Sequence, residues 1–192
     1  RHSSKLFYSL TIRLMYGEYY LKRYKDLASI IPPNVSVTDL CCGDCSLYHY
    51  ALKGKNRYTG MDINPSYNQN DQNIKVVKAD ILKDPIPISD YVIIQGSLYQ
   101  FIPNHKEIIN QMLDSARYKV IISEPVINLV NSKNKFISTI ARYSANPGTG
   151  NKNYRFTKES LNNELQRYYK QYIEDIIFIA GGRDMVVVLN TK

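Results

Sequence analysis

The stretch SVTDLCCGDC at residues 36–45 constrains the fold of this chain more than any other feature. A β-branched and apolar run ends at Asp39 and is followed at once by a tight turn of small residues. A strand that ends in such a turn leaves backbone N–H groups and open space at the carboxyl end of a sheet, where open α/β folds bind ligands. The segment therefore predicts the first strand and the ligand-binding turn of an α/β sheet.

A second acid lies at the distance that a nucleotide-binding turn requires. Asp62 ends the strand-like run RYTGMD and follows Gly43 by 19 residues. This interval agrees with the roughly 20 residues between a glycine turn and a carboxylate that binds ribose hydroxyls. The turn alone is weak evidence for a nucleotide site, whereas the turn and the spaced acid together favour one.

Strand-like and helical patterns alternate through the first two thirds of the chain. Five strands are predicted, at residues 36–41, 57–62, 74–80, 90–95 and 118–123. Several contain consecutive apolar or β-branched pairs, as strands buried on both faces do. Between them, residues 46–53 predict a short helix and residues 105–116 a longer one, for which Asn104 and Glu107 suggest a capping box.

The two ends of the chain complete the pattern. Apolar residues at steps of three and four, among them Leu21 and Tyr24, predict a helix over residues 10–31 that weakens near Gly17. Near the other end, Thr157 predicts a helix N-cap, and two apolar runs around a Gly-Gly turn predict an antiparallel hairpin. The order predicts an α/β fold, a doubly wound, mostly parallel seven-stranded sheet with a C-terminal antiparallel hairpin in three αβα layers.

Composition limits the class of protein. The chain has 192 residues, of which 44% are hydrophobic and 22% charged, so we expect a single globular domain over residues 1–192. No apolar run approaches the roughly 18 residues of a bilayer span, and no signal peptide is visible, so no membrane association is expected. The three cysteines all lie within residues 41–45 and cannot link distant segments, which predicts a reduced, cytoplasmic protein.

The net charge of +8 comes mostly from two segments. Residues 1–38 carry six Lys and Arg against two acids, and residues 128–170 carry eight against two. This distribution suggests an acidic partner, such as a phosphorylated metabolite, a carboxylate or nucleic acid. A solvated surface that keeps the protein soluble explains it equally well.

With these residues, the chain resembles the class I S-adenosylmethionine (SAM)-dependent methyltransferases, by motif over about residues 36–125 and by element order throughout. In that family the first strand ends in an acid, one further residue and a glycine-x-glycine-x-glycine turn. Here the acid is Asp39, and the three glycine positions hold Cys41, Gly43 and Cys45. Only the middle glycine is retained, and cysteine tolerates a positive φ angle poorly. The resemblance implies a Rossmann-like methyltransferase fold with SAM as cofactor.

The resemblance also implies roles for residues at the strand ends. The family's ribose-binding acid corresponds to Asp62, and its adenine-edge acid corresponds to Asp80. The isoleucine after each acid would flank the adenine ring. The candidate cofactor-binding residues are Asp39, Cys41, Gly43, Asp62, Ile63, Asp80, Ile81, Gln95 and, as a first-helix residue that either closes over the cofactor or simply packs, Tyr16.

The acceptor side follows the fourth and fifth strands. The segment QGSLYQF after the fourth strand corresponds to the family's stretch between cofactor and substrate. Tyr99 and Glu124 are the candidate catalytic residues, because both are expected near the transferred methyl group. Candidate substrate-binding residues are Gln100, Arg142, Tyr143 and Arg155, although a solvated loop with ordinary basic residues explains the last three equally well. The first helix, within residues 1–33, and an insertion at residues 126–156 are expected to form a lid.

Two other uses of the turn are less favoured. It could open a nicotinamide-dinucleotide fold, but Asp39, a third strand-end acid and the terminal hairpin favour SAM. Cys42, Cys45 and His49 have a spacing that could hold a metal ion, but a fourth ligand is not evident, so no metal is expected. His105 begins the helix after the fourth strand. Residues at this place usually lie on the surface, so a surface position is expected for His105.

These patterns predict a methyltransferase that transfers a methyl group to an oxygen or nitrogen of a small, anionic or sugar-like acceptor. The net charge keeps RNA open as an alternative acceptor. The two missing turn glycines motivate a further alternative, a catalytically degenerate binding or scaffold protein of the same fold. No pattern specifies an oligomeric state.

Overall fold

The computed structural model describes residues 13, 16–66, 72–127 and 155–191. Its strands are β1 (Ser36–Leu40), β2 (Arg57–Asp62), β3 (Ile74–Lys78), β4 (Ser89–Gln95), β5 (Ala116–Pro125), β6 (Ile173–Ile179) and β7 (Asp184–Asn190). They form one sheet in the order β3-β2-β1-β4-β5-β7-β6. The first five strands pair in parallel, and β7 is antiparallel to both of its neighbours. This arrangement confirms the predicted mostly parallel sheet with a C-terminal antiparallel hairpin.

The described helices lie before β1 and in three of the connections between strands. The described ones are α1 (Tyr19–Ser29), α2 (His105–Ser115) and α3 (Lys158–Tyr169), with a π-helical turn at Tyr48–Leu52 and 3-10 turns at Leu98–Phe101 and Lys170–Tyr172. The predicted cap of α3 is confirmed, because the Thr157 side chain accepts a hydrogen bond from Ser160 N. Within the described part of the chain, no helix combines the length and the apolar character that crossing a bilayer requires.

Two details of the predicted helices are wrong. The helix predicted from residue 10 is interrupted, because Gly17 has a φ angle of 54° and forms a turn before α1. Within α1, Tyr24 of the predicted apolar stripe is buried together with Tyr20 and Arg23, whereas Leu21 of that stripe is 43% exposed. The predicted capping box of α2 is absent as well: the side chain of Asn104 makes no cap hydrogen bond.

The core lies on both faces of the sheet. In the central strand β4, Val92, Ile93 and Ile94 are all fully buried, although successive side chains point to opposite faces. Val92 and Ile94 pack with α2 and α3 in one cluster, and Ile93 packs with α1 and the π-helical turn in the other. The fold therefore has the three predicted layers, with helices on both sides of one sheet.

The parallel strands bring their carboxyl ends to one edge. Leu40 of β1 pairs with Met61 of β2 and with Ile94 of β4, and Gln95 pairs with Ser123 of β5. Residues that follow these strands therefore meet at the same edge of the sheet, where ligands bind in open α/β folds.

Candidate active site

The turn after β1 has the backbone of a glycine-rich turn, although two of its residues are cysteines. Cys41, Gly43 and Cys45 have φ angles of 58°, 55° and 57°. The left-handed conformation costs a non-glycine residue about 1–2 kcal/mol. The sequence places small residues at these three positions, and the packing around them stabilises a conformation that two of them disfavour.

The cysteines are packing residues in this turn. Cys45 is fully buried, and its Sγ lies 3.7 Å from the Sγ of Cys42. Cys42 Sγ occupies the space above Gly60 of β2, because a Cβ at Gly60 would lie 2.7 Å from it. Burial raises the pKa of the Cys41 thiol well above its usual range, assisted by the charges of nearby carboxylates. No three potential metal-ligating side chains gather anywhere in the described ranges, including around Cys42, Cys45 and His49.

Asp62 joins the end of β2 to this turn. Its Oδ2 accepts a hydrogen bond from Gly43 N at 3.0 Å, and its Oδ1 accepts one from Asn64 N at 2.7 Å. A carboxylate offers about four lone-pair sites, so each oxygen can accept one further donor. Asp62 is therefore anchored by the backbone and still able to accept two adjacent hydroxyl groups.

Asp39 lies deeper than the other aspartates. It is buried, and it accepts a hydrogen bond from the hydroxyl of Tyr58 at 2.5 Å. Burial raises the pKa of Asp39 to about 7, the Tyr58 hydrogen bond opposes that shift, and the charges of Asp62 and Asp44 add to it. Since a buried protein group is its hydrogen-bond partner, Asp39 would act on a ligand mainly through its charge.

Asp80 follows β3 and closes a turn of its own. Its Oδ1 accepts from Leu82 N at 3.1 Å and its Oδ2 pairs with Lys83 Nζ at 3.2 Å, and both contacts lower the pKa of Asp80. No described hydrogen bond or ion pair joins it to the other two aspartates. Of the two isoleucines predicted beside adenine, Ile81 is buried in the core, whereas Ile63 is 55% exposed.

Glu124, near the end of β5, orients the segment after β4. It is 1% exposed, and its Oε1 accepts hydrogen bonds from Ser97 N at 2.9 Å and Leu98 N at 2.7 Å. Its Oε2 is also buried and has no hydrogen-bond partner among the described residues. Burial raises the pKa of Glu124 to about 8 in spite of the two amide donors. The Nε2 atom of Gln95 is buried beside this segment, again without a partner in the described ranges.

The predicted acceptor-side residues gather around Tyr99. The guanidinium carbon of Arg155 lies 3.6 Å from the centre of the Tyr99 ring, and Gln100 Nε2 donates to the Tyr99 hydroxyl at 3.4 Å. The charge of Arg155 also acts on Glu124 and lowers its pKa. The structure therefore brings four predicted residues together. Arg142 and Tyr143, with most of the predicted insertion, lie outside the described residues.

A buried ion pair beside this group was missed by the sequence reasoning. Asp184, the first residue of β7, accepts a hydrogen bond from the Tyr16 hydroxyl, and its Oδ2 lies 3.2 Å from Arg23 Nε. The Arg23 guanidinium lies 4.3 Å from the Tyr16 ring centre and next to Gly96, where a Cβ would be 3.6 Å from it. The available signal was Arg23 itself, a charged residue on the same helix face as Tyr20.

His105 also lies elsewhere than predicted. It is buried at the start of α2, and its Nε2 lies 2.9 Å from Glu164 Oε1 of α3. Glu164 is also 3.6 Å from Lys106 Nζ. The surface position expected for His105 is therefore wrong, because packing of α3 against α2 covers it and provides a carboxylate.

Known proteins share this fold without close sequence similarity. No protein-family model and no curated protein sequence matches the chain. An O-methyltransferase family 2 protein from Planctomyces limnophilus, solved with apigenin, has a TM-score of 0.66 at 12% identity, over 100% of this chain and 62% of that one. The plantazolicin methyltransferase BpumL, solved with SAH, has a TM-score of 0.69 at 13% identity, over 96% of this chain and 89% of that one.

A human enzyme gives the same result. N-acetylserotonin methyltransferase, solved in complex with SAM, has a TM-score of 0.64 at 12% identity, over 96% of this chain and 56% of that one. The shared features are the single wound sheet and its terminal antiparallel hairpin. The chain therefore has the fold of the class I SAM-dependent methyltransferases.

Proposed function

We propose that this chain is a SAM-dependent methyltransferase that acts on a small-molecule acceptor. The observation that carries the proposal is the link between Asp62 and Gly43, which joins the predicted ribose-binding acid to the turn after β1. The turn keeps positive φ angles at Cys41 and Cys45, so the glycine-type geometry survives both replacements. Several structures with this fold were solved with SAM or SAH, which supports the choice of cofactor.

Buried polar atoms at this edge fit a bound nucleoside and its amino-acid tail. Gln95 Nε2 and Glu124 Oε2 lack partners in the described part of the chain, and buried polar groups normally have one. Asp62 would hold the ribose, Asp80 would accept from the adenine amino group, and Gln95 would contact the tail. SAM, when bound, supplies a methyl group that is already activated, so the protein's main task is alignment.

The acceptor would lie over Tyr99 and Glu124. Arg155 brings a positive charge to this place, which favours an acceptor with an anionic or hydroxyl-rich part. Once its own carboxyl group is ionised, Glu124 would take the proton of an acceptor hydroxyl. Because the pKa of Glu124 is raised to about 8, that role predicts activity that increases as pH rises through 8.

A two-stage experiment tests the proposal. Calorimetric titration with SAM comes first, and a metabolite screen scored by SAH formation follows. We expect SAM binding, turnover of a small anionic or sugar-like acceptor, and loss of turnover in Glu124→Gln even at saturating SAM. No heat at millimolar SAM would instead support the degenerate scaffold protein.

RNA as acceptor is distinguished by a separate measurement of RNA binding at several salt concentrations. The net charge of +8 is the observation in its favour. RNA binding that weakens steeply with added salt would indicate phosphate contacts, since these release counterions. A small-molecule enzyme would show no such dependence.

We also propose a reducing, cytoplasmic setting, because all three cysteines are free thiols at the site itself.

A further inference from the structure

Carboxylates outnumber cations at the carboxyl edge of the sheet, although the chain as a whole carries a charge of +8. Asp39, Asp62, Glu124 and Asp184 lie at this edge, and three of them are at least 96% buried. Two described guanidinium groups lie on the acceptor side of this edge: Arg23 pairs with Asp184, and Arg155 lies on the ring of Tyr99. Asp39 and Asp62 have no ion-pair partner among the described residues, so the part of the edge beside the turn after β1 favours a ligand group with positive charge.

Three of these carboxylates lie near Cys41. Asp39 precedes it by two residues, Asp62 accepts a hydrogen bond from Gly43 N two residues after it, and Glu124 accepts one from Ser97 N, just beyond the neighbouring strand β4. Their charges also raise the pKa of the Cys41 thiol. They come from β1, β2 and β5, the strands that carry the predicted ribose-binding acid and the predicted catalytic Glu124. The proposed methyl transfer would take place between these two predicted positions.

We propose that the carboxylates around Cys41 recognise the positive charge of the sulfonium, so that SAM binds more tightly than SAH. The inference rests on the proposed function and extends it to how substrate and product are told apart. SAH has lost the charge together with the methyl group. An opposite charge within about 4–6 Å changes a binding or proton equilibrium by about tenfold or more. Product release would follow from the loss of that attraction.

Glu124 couples the recognition of the positive charge to the release of a proton. Its Oε2 has no described hydrogen-bond partner. The charged or titratable groups that interact electrostatically with Glu124 are Cys41 after β1, Asp184 of β7, Tyr16 before α1 and Arg155 before α3. With a pKa of about 8, the carboxyl is mostly protonated at pH 7. A cation placed beside it favours the ionised form, and the proton is released to solvent.

The first test uses the unaltered protein and calorimetry at pH 7, in two buffers with different ionisation enthalpies. We expect SAM to bind about tenfold more tightly than SAH and to release a substantial fraction of a proton, and SAH to release none. A cofactor analogue with a protonated amine in place of the sulfonium should behave like SAM. Equal affinities for SAM and SAH would overturn the inference, whereas binding of neither would overturn the proposed function.

A variant pair locates the effect. Glu124→Gln keeps an oxygen that can accept from the Ser97 and Leu98 amides, so we expect its SAH affinity to be unchanged and its preference for SAM to fall severalfold. The release of a proton on SAM binding should also disappear in this variant. Asp114→Asn removes the same charge from an exposed position on α2 and should alter neither property. Equal weakening of SAM and SAH in Glu124→Gln would indicate a purely structural carboxylate and contradict the inference.

Discussion

The carboxyl edge of the sheet has two halves that are built in different ways. In the half proposed to bind the nucleoside (the nucleoside half), at the ends of β1, β2 and β3, the carboxylates bind partners that are near in sequence: Asp62 with Gly43 and Asp39 with Tyr58, each 19 residues apart. In the half proposed to bind the acceptor (the acceptor half), at the ends of β4 and β5 and the start of β7, Asp184 binds Tyr16 across 168 residues. The first half depends on neighbouring strands, and the second depends on the whole chain.

This difference determines where stability and binding reside. The nucleoside half stabilises one turn with hydrogen bonds from backbone amides to Asp62, and Asp62 keeps capacity for a ligand. The acceptor half contains a buried ion pair, and removal of one partner from such a pair leaves an uncompensated charge. We therefore expect substitutions in the acceptor half to affect folding first, and those in the nucleoside half to affect binding first.

The largest effect is expected for Asp184→Ala. This change leaves the Arg23 guanidinium buried without its carboxylate, and we expect the free energy of unfolding to fall by about 3–5 kcal/mol. Urea denaturation measures the change. The control Asp114→Ala removes an exposed carboxylate and should stay within about 0.5 kcal/mol of the unaltered protein. Similar values for the two variants would mean that the ion pair does not hold the acceptor half together.

The matching change in the nucleoside half is Asp62→Ala. We expect SAM affinity to fall by about 2 kcal/mol, because charge-assisted hydrogen bonds to the ribose and to Gly43 N are lost. Asp62→Asn retains one carbonyl acceptor and should lose less. Calorimetry measures both, and normal SAM binding by Asp62→Ala would show that the ribose site has been assigned to the wrong residue.

Stability should also depend on pH through the acceptor half. The pKa of Glu124 is raised from 4.5 to about 8, so the folded state holds a proton that the unfolded state has lost between these values. The contribution of Glu124 to the free energy of unfolding is then fully present below about pH 4.5 and is lost as pH rises to 8, by about 1.4 kcal/mol from pH 6 to pH 7. The raised pKa of Asp39 adds to this decrease in stability up to about pH 7. Urea denaturation of Glu124→Gln should show a shallower fall, and an unchanged slope would contradict the assignment.

The smallest effect concerns the strained turn. Cys41→Gly relieves a φ angle of 58° at a half-buried position, and we expect stability to rise by up to about 1 kcal/mol. Cys45→Gly relieves a similar angle but removes a fully buried thiol, so we expect no gain. Thermal unfolding of the two variants side by side checks this, and a loss in Cys41→Gly would show that its side chain stabilises the turn.

The fold and the nucleoside half could be predicted because their signals are local. Apolar runs, a turn of small residues and a spaced acid indicate β1, β2 and a site that contains Gly43 and Asp62, whereas the hydrogen bond between these two residues became visible only in the structure. Parallel strands then bring their carboxyl ends to one edge, so Glu124 was expected there without knowledge of its contacts. The backbone amides that it binds, of Ser97 and Leu98, became visible only in the structure.

The sequence by itself determined which strands exist, their direction and the three strand-end aspartates, because hydrophobic periodicity and turn chemistry act over a few residues. The tertiary structure alone decided the partners of Arg23, His105 and Asp184. A buried charge is stable only where another element supplies its counter-charge. That pairing joins segments far apart in the chain, and no local pattern specifies it.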